Sequence, residues 1–159
     1  FWVAPINALH LQDIYRNRIL IECHMLTLLL TQADDAWELT AVANAHQMKK
    51  LLRNEVPVDL PSWIEMSQAW FNGILSAVHS PWLQQVRHNL SLHAQRYQFT
   101  FLQQCPDLEM VLKAENASAQ SLLTSLTDRD TTSAHSCHEM YLRNTMELMM
   151  PFYQQREQT

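Results

Sequence analysis

A single glycine in 159 residues, Gly73, sets the first limit on what this chain can fold into. Tight hairpin turns call for residues that tolerate positive φ, and glycine alone does so without steric cost. With one glycine there is little turn chemistry for β-hairpins, and helices joined by short connections are indicated instead. No segment alternates apolar and polar residues with period two, and the prolines fall at segment edges.

The 3.6-residue periodicity predicts six helices. The first runs from about Leu9 to Thr31, with Ile14, Arg18, Ile21, Met25, Leu28 and Leu29 on one stripe. The second starts at the capping-box-like pair Asp35 and Glu38 and reaches about Arg53, followed by the connection "NEVPVD". Pro61 opens the third, with Ser62 and Glu65 in capping-box spacing. Ser80 caps the fourth, with Pro81 at its first position, and that helix continues to about Gln104. Pro106-Asp107 starts the fifth, which ends near Asp128. The segment from Asp130 to Ser133 caps the sixth, which runs to about Tyr153. The expected fold is all-α, an antiparallel bundle of about six helices.

Apolar residues make up 47% of the chain and charged residues 17%, which suits a globular core rather than disorder. The net charge of −5, with basic residues scattered, gives no electrostatic footprint for nucleic acid. The apolar run from Met25 to Leu30 falls far short of the roughly 20 residues of a membrane span, so no membrane role is expected. Cys23, Cys105 and Cys137 are odd in number and lack C-x-x-C spacing. They argue against a disulfide scaffold or structural zinc, fit a reducing cytoplasm, and are expected as buried small apolar residues. The opening "FWVAP" reads as the continuation of a longer chain.

The segment "FWVAPINALHLQDIYRNRILIE" resembles the junction between the winged-helix and effector domains of GntR-family transcriptional regulators of the FadR type. There a helix carries D-hydrophobic-Y-x-x-R-x-x-x-E, matched here by Asp13, Ile14, Tyr15, Arg18 and Glu22. "DDAWELTAVANAHQMKKL", "SQAWFNGILSAVHSPWLQQVRHNLSLHAQRY" and "SLLTSLTDRDTTSAHSCHEMYLRNT" are similar to later helices of the same family. The resemblance implies an FCD domain, the effector-binding and dimerising part of a regulator. Residues 1–7 would then end a linker from a winged-helix domain, and residues 8–159 would form the helical domain. It further implies a small-molecule effector, a homodimer, and operator DNA contacted only through the N-terminal domain.

Many FCD domains hold a divalent metal with Asp-x-x-x-His on the third helix and two histidines on the last two helices. The resemblance places these four positions on Gln68, Asn72, Ala119 and Tyr141. Amides coordinate transition metals poorly and alanine not at all, so no metal and no other cofactor is expected. His135 and His138, three apart, are the pair able to rebuild a metal site; the simpler expectation is partly exposed helix histidines.

The pocket is therefore expected to be polar and metal-free, lined by Arg18, Glu22, Gln68, Asn72, Arg96, Ala119 and Tyr141. A guanidinium inside a bundle needs a partner, and a carboxylate effector would match its planar fork. Glu22, one helical turn from Arg18, is the alternative partner and needs no ligand. The methionines are expected as core filler or dimer surface, and Trp2, Trp82 and Phe152 as apolar surface for a dimer. A helical-bundle oxidase needs Glu-x-x-His pairs, and the chain contains none, so no enzymatic activity is expected. The remaining rival is a structural dimerisation domain that has lost its effector.

Overall fold

A computed structural model describes residues 7–32, 34, 36–52 and 59–157. They form α1 (Ala8–Gln32), α2 (Ala36–Leu51), α3 (Leu60–Leu75), α4 (Pro81–Leu102), α5 (Leu108–Thr127) and α6 (Thr131–Glu157). Among the described residues there is no strand, in keeping with the all-α expectation. Trp2, Asp35, Arg53, most of the "NEVPVD" connection and nearly all of the expected linker lie outside the described residues.

α1 packs against α6 and α4, α2 against α3 and α5, and α5 against α6. Side-chain contacts fix the sense of the longest pair. The Ala8 amide donates to Glu157, Glu22 meets His138, and Thr27 meets His135, so α1 and α6 run antiparallel.

Two apolar clusters result. One joins Met25, Leu29, Met48, Trp63, Trp70, Leu112 and Leu122; the other joins Leu11, Ile14, Tyr15, Tyr97, Leu142 and Tyr153. On α1 and α6 a polar layer separates them. Arg18 and Glu22 fall between Tyr15 and Met25, and His138 falls between Ala134 and Leu142. The functional geometry grows from that layer.

The helix ends depart from expectation in places. Asp59, not Ser62, caps α3: its carboxylate accepts from the Ser62 amide at 3.1 Å and the Ser62 hydroxyl at 2.5 Å. Ser80 caps α4, and Asp130 accepts from the Ser133 amide at 3.0 Å to start α6. α5 ends in a Schellman turn. Asp130 N–H reaches the Ser125 carbonyl and Arg129 N–H the Leu126 carbonyl, with Arg129 in the left-handed region at φ 56°. α6 continues through Pro151 to Glu157 because Met149 and Tyr153 are buried and the Tyr153 hydroxyl donates to the Tyr97 carbonyl at 2.6 Å. That proline is therefore inside a helix rather than at an edge.

Burial also corrects several residues. Cys23, Cys105 and Cys137 are free and half-buried rather than core. His138 is fully buried, not a partly exposed helix histidine. Phe152 packs edge-on against Phe101 and Tyr153 inside the monomer, whereas Trp82 is 78% exposed. The methionines divide: Met25, Met48, Met146 and Met149 are buried, while Met110 and Met140 are exposed.

Gly73 makes no turn; it lies within α3, where a Cβ would meet the Asn44 amide nitrogen at 3.3 Å. That nitrogen is the movable end of a half-buried side chain, whereas glycine inside a helix costs about 1 kcal/mol relative to alanine. Gly73→Ala should therefore raise the melting temperature by about 2–4 °C. A fall measured by circular dichroism would show that Asn44 cannot yield.

Candidate functional site

The polar layer begins with one turn of α1. Residues four apart share a helix face, so Arg18 and Glu22 meet side by side, with Arg18 Nε donating to Glu22 Oε1 at 2.8 Å and Nη2 to Oε2 at 3.4 Å. His138 Nε2 lies 2.7 Å from Glu22 Oε2 and donates to that carboxylate, while Nδ1 is buried with no partner among the described residues. Burial pushes the Glu22 carboxyl up, but Arg18 and the His138 hydrogen bond outweigh it and hold it down at about 2. Burial alone would lower the Arg18 pKa; the Glu22 charge more than offsets this and raises it. The Arg18 guanidinium also lies over the Tyr15 ring, 5.1 Å from its centroid.

A second buried acid stands on α5. Glu115 accepts from Trp63 Nε1 and the Tyr141 hydroxyl, both at 2.8 Å, from Gln98 Nε2 at 3.1 Å and from the Ser67 hydroxyl at 3.5 Å. All four donors are neutral, and among the described residues no cation pairs with it. Burial first, then the Glu115 charge, push the Tyr141 phenol well above its ordinary range.

The third charge is Arg87, on the inward face of α4 and 6% exposed. Its Nη2 donates to Asn72 Oδ1, its Nε has no partner, and no carboxylate lies within ion-pair reach among the described residues. Burial, the largest influence, pulls its pKa down, while Glu22 pulls it up and Arg18 down. A buried guanidinium held by one neutral amide is poorly compensated.

Arg18, Gln68, Asn72, Arg87, Gln95, Gln98 and Tyr141 surround a polar cavity of about 30 Å³. Of the residues expected at the pocket, Arg18, Gln68, Asn72 and Tyr141 line this space, with Asn72 exposed at its edge. Glu22 stands behind Arg18 as its partner. Arg96 is exposed on α4, donates no side-chain bond into the site, and lies outside the lining. Ala119 is buried in the apolar cluster of α2, α3 and α5 and is also outside it.

Two amides and a phenol make a donor set unsuited to a transition metal. His135 turns to the Thr27 hydroxyl at 2.8 Å while His138 turns to Glu22, so these two imidazoles are engaged separately.

Sequence reasoning missed Arg87, Glu115 and the burial of His138. For two of them a signal existed. Arg87 lies four residues after Leu83 and three before Leu90 on the inner stripe of α4, and Glu115 three after Leu112 and four before Ala119 on that of α5. A charge on an apolar stripe is the mark of a buried polar site.

A model of the FCD domain matches residues 13–148. The HTH-type transcriptional repressor GlaR of Escherichia coli (strain K12) is 28% identical over 141 residues, covering 88% of this chain and 64% of that protein. The uncharacterized HTH-type transcriptional regulator BphR of Paraburkholderia xenovorans (strain LB400) is 28% identical over 100 residues, covering 61% of this chain and 41% of that protein. The chain thus spans less than two thirds of the length of these curated relatives. With the match extending from α1 into α6 over an all-helical bundle, the chain belongs to the FCD domain family.

Proposed function

We propose that this chain is the effector-binding domain of a transcriptional regulator, and that its effector is a small carboxylate held by Arg87 in the polar cavity between α1, α3, α4 and α6. The observation that carries this reading is Arg87 itself, a buried cation whose Nε has no partner and which has no anion among the described residues. A carboxylate would supply the missing charge and displace Asn72 from the guanidinium, with Gln68 and Tyr141 positioned to hydrogen-bond the rest of the molecule. Arg18 serves as a wall, because Glu22 already satisfies it.

At about 30 Å³ the cavity has room for little more than a water, so binding would require α3 and α4 to part where Asn72 meets Arg87. That movement is the means by which an effector would shift the equilibrium of the whole regulator, whose DNA contacts would be made by a segment outside this chain. No catalytic role is assigned. The small volume favours a second reading, a dimerisation domain that no longer takes an effector. A thermal-shift screen of small mono- and dicarboxylates separates the two. Stabilisation by a carboxylate that Arg87→Ala abolishes supports sensing; no stabilisation by any acid supports the second reading.

We also propose a homodimer, formed in part through α4, which leaves Trp82, Val86 and Leu92 exposed. Trp82→Glu should weaken association by about 30-fold or more, the effect of removing one interface hot spot. Sedimentation equilibrium showing the same dissociation constant for variant and wild type would place the interface elsewhere.

A further inference from the structure

We propose that a groove between α4, α5 and α6, which meets the Arg87 cavity at Gln98 and Tyr141, is a second ligand site that takes a small amine with an apolar body. The groove has a volume of about 300 Å³, at the lower end of the range for small-molecule sites. Its walls are Phe101, Leu102, Val111 and Met149, and its lips are Met110 and Leu148, which are 66% and 47% exposed. Large apolar side chains left in water around a concave space mark a surface built to be covered.

The head group follows from the polar side chains the groove offers, every one of which can accept a hydrogen bond. Glu115 is a buried acid with no cation among the described residues, bonded there only to the neutral donors Trp63, Ser67, Gln98 and Tyr141. The Thr145 hydroxyl spends its proton on the Tyr141 carbonyl at 2.8 Å, and the Ser118 hydroxyl spends its own on the Ala114 carbonyl at 3.1 Å. Both hydroxyl oxygens therefore face a ligand as lone pairs. The Asn144 and Gln98 amides can each donate or accept. An ammonium brings three donors and the positive charge Glu115 lacks, and an apolar tail fills the Phe101–Leu148 side. A carboxylate would face an acid and two lone pairs, so this site selects against the class of ligand proposed for Arg87.

The test is calorimetric titration of the whole chain with 2-phenylethylamine and with 2-phenylethanol, which has a similar shape without the charge. The amine should bind at least about 10-fold more tightly, the worth of one charge-assisted hydrogen bond. Glu115→Gln should bring the two within about 2-fold of each other by removing the charge. Ala114→Trp, at an exposed position on the groove wall, should abolish both and leave Glu115 in place, so it serves if Glu115→Gln fails to fold. Equal binding of amine and alcohol, no binding of either, or amine binding that survives Ala114→Trp would overturn the proposal. Carboxylate binding at Arg87 is read separately, by the acid screen on the unsubstituted chain and on Arg87→Ala.

Discussion

Arg18→Ala should lower the free energy of unfolding at pH 7 by about 3–5 kcal/mol, the cost of removing one partner from a buried ion pair. Glu22 is 1% exposed and lies behind Arg18, so the variant leaves a buried carboxylate with one protein hydrogen bond, from His138, where there were three. The same substitution has a pH signature. Arg18 and His138 hold the Glu22 carboxyl at about 2, below its ordinary 4.5. A carboxylate with a depressed folded-state pKa contributes stability that is complete above 4.5 and is lost as pH falls toward 2. The variant lacks this contribution, so the gap between it and wild type should narrow from pH 4.5 downward. Urea unfolding at pH 7 and pH 3 measures it. A gap of equal size at both would mean that the loss at position 18 is one of packing rather than charge.

Arg87→Ala should do the opposite. Its loss should leave the fold as stable as wild type or somewhat more so, because it removes a buried cation that has no anion. Carboxylate binding should fall by about 2–4 kcal/mol, roughly 30- to 1,000-fold, since a bidentate charge-assisted contact is lost. Calorimetric titration with an acid that stabilises the wild type reads the affinity, and denaturant unfolding reads the fold. Unchanged affinity in a folded Arg87→Ala protein would remove the carboxylate site from this cavity. Taken together, the two arginines separate structure from sensing: one should cost stability, the other affinity.

The helices were legible from local patterning. Ser80-Pro81 and Asp130 act where caps were expected, and of the expected stripe of α1 Ile14, Arg18, Met25 and Leu29 are buried while Ile21 and Leu28 are half-buried. The Arg18–Glu22 pair was equally legible, because residues four apart on a helix meet whatever else surrounds them. Errors fell where a local signal had a near competitor: Asp59 lies three residues before Ser62 and takes the cap of α3.

The cavity was only partly legible. Gln68 and Asn72 share a face of α3 by spacing, but that Arg87 lies opposite them depends on how α4 is rotated against α3. Arg96 illustrates the same limit, being a basic residue on the same helix that the packing leaves in solvent. By itself the sequence determined the number of helices, most of their ends and the charge pair within α1, since these depend on residues within a turn or two of each other. The tertiary structure alone decided that His138 completes the Glu22 site 116 residues away and that, among the described residues, Glu115 is buried without a cation and Arg87 without an anion. Those outcomes depend on which helix faces meet, and a helix's own periodicity shows that a face is covered without showing what covers it.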